Sequence, residues 1–120
     1  MSAIHLNFAR SIYHDNGIFE VIPDQGIEVT AQHIDEIRRA IEDLDNNVGI
    51  LINKGNEYSH TFEAIQAIRE LCKTCRIAMY APTKMSQRTT TTVLGNTLNY
   101  DSVGIFDQRQ EAIIWLLALT

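Results

Sequence analysis

Basic residues are in short supply in this sequence: ten lysines and arginines stand against fifteen aspartates and glutamates, giving a net charge of -5 and a pI near 5.2. A protein that grips a phosphate backbone needs a clear basic excess, so nucleic acid is not an expected partner. Cysteine is equally sparse. Cys72 and Cys75 form a lone C-x-x-C, with no second pair and no spaced histidine pair to complete a four-ligand zinc site. They fall at the end of an expected helix, where the dipole raises a thiol pKa, and so read as ordinary reduced thiols. A half-site completed by a second subunit is the remaining reading. His5, His14, His33 and His60 are dispersed, without the H-x-x-x-H spacing of a metal site, and no cofactor is implied. The sequence has neither a P-loop nor a dinucleotide fingerprint. It also lacks a long apolar run: Ala112 to Leu119 falls far short of the roughly 20 residues that cross a bilayer. The start Met-Ser-Ala-Ile-His has no basic region followed by an apolar one, so a cytoplasmic protein is expected.

What is present is the composition of an ordinary globular domain. At 120 residues, 45% hydrophobic and 21% charged, the chain is large enough for one continuous core, and residues 1–120 are expected to form a single domain. The stretch from Val48 to Leu71 organises it. Val48-Gly49-Ile50-Leu51-Ile52 is an unbroken apolar run, as in a strand covered on both faces. Asn53 to Glu57 is dense in turn formers. Tyr58-Ser59-His60-Thr61 then leads into Phe62, Ile65, Ile68 and Leu71, spaced by threes along one face of a helix.

Ahead of that stretch, Ile4, Leu6 and Phe8 alternate with more polar residues as in an edge strand, which continues through Ser11-Ile12-Tyr13 with a change of phase at Arg10. Asp15-Asn16-Gly17 supplies a hairpin turn into Ile18–Ile22, and Pro23 ends or bends that strand. Thr30 is placed to cap a helix whose buried stripe is Ile34, Ile37, Ile41 and Leu44; the charges between them are its solvated back. Beyond the second helix, Ile77–Ala81 reads as another inner strand, stopped by Pro82. Residues 83–98 read as a helix ending near Gly95 or Asn96, Val103–Phe106 as the last strand, and Asp107 as the cap of a final helix. That helix is apolar over a wide face, enough to touch a partner chain. The class is α/β: one mixed sheet of about five strands with flanking helices, in the order β-β-α-β-α-β-α-β-α.

That order, the Gly26-Ile27-Glu28-Val29-Thr30 lead into the first helix, and the helix starting directly after the central turn resemble the SpoIIAA-like, or STAS, fold of anti-sigma-factor antagonists. The closing Phe106-Asp107 and Glu111 to Leu116 are similar to the end of small bacterial proteins labelled STAS/SEC14-like. The resemblance covers nearly the whole chain. It implies a non-catalytic regulatory or protein-interaction module. Switching members carry an Asp-Ser-Ser-Gly-like sequence at the start of the second helix, where this chain has Glu57-Tyr58-Ser59-His60-Thr61-Phe62. Ser59 is the nearest match to the phosphorylated serine and Thr61 the second, while the Asp and Gly of the pattern are missing.

Two functional readings follow. In the first, a protein partner or a second copy docks around Tyr58 to Phe62 and on the last helix, with Ser59 or Thr61 as the switch. In the second, a small anionic or lipid-like ligand sits between the loops after the third and fourth strands, held by Lys54, Tyr58, His60, Thr83, Lys84, Ser86 and Arg88 at the carboxyl ends of adjacent strands. The alternative is that Ser59 simply caps the helix and the cations are scattered surface charge. Ser59 and His60 make a poor nucleophile and base, because neighbouring side chains diverge. The acidic pairs on the first helix lack the enclosure that raises a catalytic pKa, so no enzyme is expected.

Overall fold

A computed structural model describes residues 2–44, 47, 49–56, 58–83 and 103–118. The described elements are β1 (Ser2–Ala3), β2 (Ala9–Tyr13), β3 (Ile18–Pro23), β4 (Glu28–Val29), α1 (Ala31–Glu42), β5 (Gly49–Asn53), β6 (Ser59–His60), α2 (Phe62–Leu71), β7 (Ile77–Tyr80), β8 (Val103–Phe106) and α3 (Arg109–Leu117). The class is α/β, as the alternation of periods implied. The main sheet has the order β1-β2-β3-β5-β7-β8, antiparallel at β1/β2 and β2/β3 and parallel from β3 onward.

The central run lies where the sequence placed it. β5 is flanked by β3 and β7, with Ile50 in register with Phe19 and Ile77, and Leu51 with Glu20 and Ala78. Because strand side chains alternate, this register sorts the core into two layers. Phe19, Val21, Ile50, Ile52, Ile77 and Met79 meet α1 and α2 on one face. Ile18, Leu51 and Ala78 meet Ala112 and Leu116 of α3 on the other. Gly49 marks how closely the second layer packs: a Cβ there would lie 2.8 Å from Leu116 Cδ2 and 2.9 Å from the Arg76 carbonyl oxygen. The β2–β3 hairpin closes with His14 N donating to Ile18 O at 2.9 Å, and Gly17 supplies the positive φ of 90° that the turn requires. No helix among the described residues is long and apolar enough to cross a membrane.

Several expectations need correcting. The mixed sheet counts six strands with the two-residue β1 included, and beside it β4 and β6 form a separate parallel pair that was not expected. The segment around Ile4, Leu6 and Phe8 is not one strand: the chain turns at Asn7 and Phe8, with a bridge between Leu6 and Ala9. Alternation could not expose this reversal, because Phe8 is buried either way; its ring stacks on His33 at 4.3 Å between centroids. Phe62 does not join the buried stripe of α2. Steps of three drift around a helix, so Phe62 and Leu71 lie about 180° apart. Leu71 is buried, and Phe62 is 66% exposed. Asp107 does not cap α3; Gln108 holds the N-cap position, without a side-chain bond. Thr30 does cap α1, accepting from His33 N, while His33 Nδ1 accepts from Thr30 N. The expected helix over 83–98 falls, apart from Thr83, outside the described residues.

Candidate functional site

β5 ends at Asn53, but its backbone pairing runs one residue further: Lys54 N donates to Tyr80 O at 2.8 Å. That bond keeps Lys54 beside the sheet. Its side chain is buried, 7% exposed, with Nζ 5.1 Å from the centre of the Tyr58 ring. The loop beyond is fixed by Asn53 Oδ1, which accepts from Gly55 N at 2.9 Å, and by Asn56 Nδ2, which donates to Pro23 O at 3.2 Å. The chain then enters β6. Ser59 N donates to Ile27 O and Thr61 N to Val29 O, at 3.0 and 2.9 Å.

As a strand, 58–60 alternates. Tyr58 and His60 pack edge to face at 5.1 Å, while Ser59 is exposed beside Glu28, its partner in β4. Burial lowers the Lys54 amine from its ordinary 10.5 to about 8. Burial, aided by the Lys54 charge, takes the His60 imidazole from 6.5 to about 4, so it is neutral at physiological pH. Burial pushes the Tyr58 phenol upward. The Tyr58 hydroxyl oxygen is buried and has no hydrogen-bond partner among the described residues.

The structure therefore gathers Lys54, Tyr58 and His60, yet as an enclosed cluster rather than an open anion surface. Thr83 is exposed just past β7, on the same edge of the sheet, since Tyr80 pairs with Asn53. Lys84, Ser86 and Arg88 lie outside the described residues. Ser59 does not begin or cap α2. Thr61 does, its hydroxyl accepting from Ala64 N at 3.1 Å. Of the two candidate switch hydroxyls, Ser59 is thus the exposed one and Thr61 is engaged in the fold. A negative group on Ser59 would face the Glu28 carboxylate across the β4–β6 pair. Phe62 projects from the same corner.

A second polar centre lies inside the sheet, at a residue that the sequence pattern alone does not mark as functional. Glu20 stands in the middle of β3 and is 2% exposed. Its Oε1 accepts from Arg109 Nη2 at 2.5 Å and lies 2.8 Å from His14 Nε2; its Oε2 accepts from Arg109 Nε at 3.0 Å and Asn53 Nδ2 at 2.9 Å. Burial raises the carboxyl pKa, but these hydrogen bonds and the Arg109 charge outweigh it, and the value falls from 4.5 to about 2. Such a saturated carboxylate is a poor proton acceptor; it ties α3 to the sheet. The signal was an acidic residue inside the apolar run Ile18 to Ile22.

The cysteines add no reactive centre. Cys72 Sγ donates to Arg69 O at 3.0 Å, and burial pushes the Cys75 thiol up to about 11. For Cys75 the shift is in the expected direction, but its main cause is burial rather than the helix dipole. Among the described residues, no three His, Cys, Asp or Glu side chains are grouped to hold a metal ion. Compared with known proteins, the chain matches no family model, no curated protein and no solved structure.

Proposed function

We propose that the chain is a non-catalytic, cytoplasmic STAS-like regulatory module that docks a protein partner, or a second copy of itself, at the corner made by Ser59, Thr61 and Phe62. One observation carries this reading: Phe62, a large aromatic 66% exposed, opens α2 next to the exposed Ser59. An aromatic left in water at a helix start stabilises nothing in the monomer, whereas aromatic anchors are enriched where partners dock. Ile114 of α3 is also exposed, at 58%, but α3 packs on the opposite face of the sheet from α2. The docking corner therefore comprises the end of β6 and the start of α2, without α3. A photo-crosslinking side chain at position 62, introduced in cells, is expected to give one discrete adduct that is lost with Ser59→Asp. No adduct, or one indifferent to Ser59→Asp, would overturn the proposal.

A second reading, a module for a small anionic or lipid-like ligand, draws on the buried Tyr58 hydroxyl, which lacks a partner among the described residues and lies in the same cluster as Lys54. It expects a thermal shift with a phosphorylated or lipid-like compound that disappears in Tyr58→Phe. Persistence of the shift in that variant would remove the reading.

A further inference from the structure

α3 is apolar on two opposite sides. Ala112 and Leu116 are buried on the sheet, and at about 100° per residue Ile114 lies roughly 180° from them. It is 58% exposed, and the half-buried Ile113 and Leu117 widen that outer side. A helix apolar around its whole circumference is ordinarily covered on every side, and here the sheet covers one. The sheet is incomplete in a matching way. α3 packs over β5, β7 and β8. On the same face β1, β2 and β3 carry no helix among the described residues, and three strands at about 4.8 Å spacing leave a strip roughly 10–14 Å wide, room for one more helix of about 10 Å. Alternation puts Ile12 and Ile22 on this strip, on the face of Ile18 and Glu20. Both are half-buried and, among the described residues, belong to neither core layer.

We propose that two copies of the chain pair about a two-fold axis parallel to α3, so that the α3 of each copy fills the strip of the other. The two helices then lie side by side in one layer between two sheets. Each keeps Ala112 and Leu116 on its own sheet and sets Ile114 against the partner's Ile12 and the partner's Ile22. A second copy is the occupant because one chain carries both complementary surfaces, and a two-fold axis makes each contact twice. Charge agrees with this assignment. Within β2 and β3 the charged residues are Arg10, exposed, and Glu20, buried and held by Arg109, so the strip presents positive charge. The outer side of α3 presents Glu111 and no cation, since Arg109 is turned to Glu20. A nine-residue helix is roughly 14 Å long, and its outer side on the strip, counted in both directions, buries on the order of 1,000 Å² in total. That is about the least area a specific dimer buries, so a reversible pair is expected rather than a permanent one.

Sedimentation equilibrium of the full chain should show a reversible monomer–dimer equilibrium at micromolar concentrations. In a mixture of isotope-labelled and unlabelled copies, intermolecular NOEs are expected from the Ile114 methyls to those of Ile12 or Ile22. Ile114→Arg sets a second cation against the positive strip and should raise the dissociation constant at least about tenfold. Ile114 is exposed in the single copy, so an unchanged melting temperature, at a dilution where both proteins are monomeric, shows that the variant keeps its fold. The NOEs of the wild type decide the question without any variant. A monomer at every concentration up to millimolar, a dimer indifferent to Ile114→Arg, or intermolecular NOEs from Phe62 in place of Ile114 would each overturn the assignment. Ser59 and Phe62 lie beside α2, on the other side of the sheet from α3, so failure here leaves the docking corner standing, and the reverse holds.

Discussion

Replacing Glu20 by Gln separates the charge of the buried carboxylate from its shape. In the folded chain its pKa is about 2 against an ordinary 4.5. Integrated over that interval, the difference corresponds to about 3.4 kcal/mol favouring the fold when the carboxylate is ionised. The Arg109 side chain is 40% exposed, so water screens the main partner and the realised contribution is about 1–2 kcal/mol. The sign follows from proton binding. Between about pH 2 and 4.5 the unfolded chain holds the Glu20 proton more tightly than the folded one, so stability from this group is complete above 4.5 and lost as pH falls towards 2. Urea unfolding of wild type and Glu20→Gln is the assay, and taking the difference cancels the other carboxylates. At about pH 7 the variant should be less stable by about 1–2 kcal/mol, and the gap should shrink steadily below 4.5. A gap absent at neutral pH, or constant down to about pH 3, would refute the account of Glu20 as an ionised latch between β3 and α3.

Two further outcomes test the geometry around β6. Thr61→Ala should cost about 1 kcal/mol by removing the cap of α2, whereas Ser59→Ala should stay within about 0.5 kcal/mol; thermal unfolding of the pair distinguishes them, and the reverse ranking would place the cap on Ser59. Lys54→Met should stabilise the chain by about 1–3 kcal/mol near pH 7, because it removes a desolvated ammonium. Since the folded amine titrates at about 8 and the unfolded one at 10.5, wild type should regain ground as pH rises through that window. Chemical denaturation at both pH values measures it, and a penalty that did not shrink would mean the amine is solvated.

The sequence by itself determined the elements that burial periodicity encodes. β5, β7 and the inner stripes of α1 and α2 are legible because every second or every third to fourth residue must be apolar for a face to pack. The hairpin at Gly17 and the cap at Thr30 were equally local, each fixed by the chemistry of three or four neighbouring residues. The candidate site was legible only in part. Lys54, Tyr58 and His60 lie close together, because a turn after a central strand brings them to one edge of the sheet, but as an enclosed cluster that local pattern does not distinguish from an open surface.

Tertiary structure decided the rest, wherever an interaction depends on a remote partner. Ser59 became a strand residue because the carbonyls of Ile27 and Val29 arrive to accept the N–H groups of Ser59 and Thr61. Nothing within 58–61 announces a bond to a segment some thirty residues away. Lys54 was turned inward by its pairing with Tyr80, and Glu20 is ionised inside the fold because Arg109, 89 residues further on, reaches its carboxylate. Local pattern records which side chains avoid water. Which polar groups find each other depends on how the folded chain brings distant segments together, and no window of sequence contains both halves of such a pair.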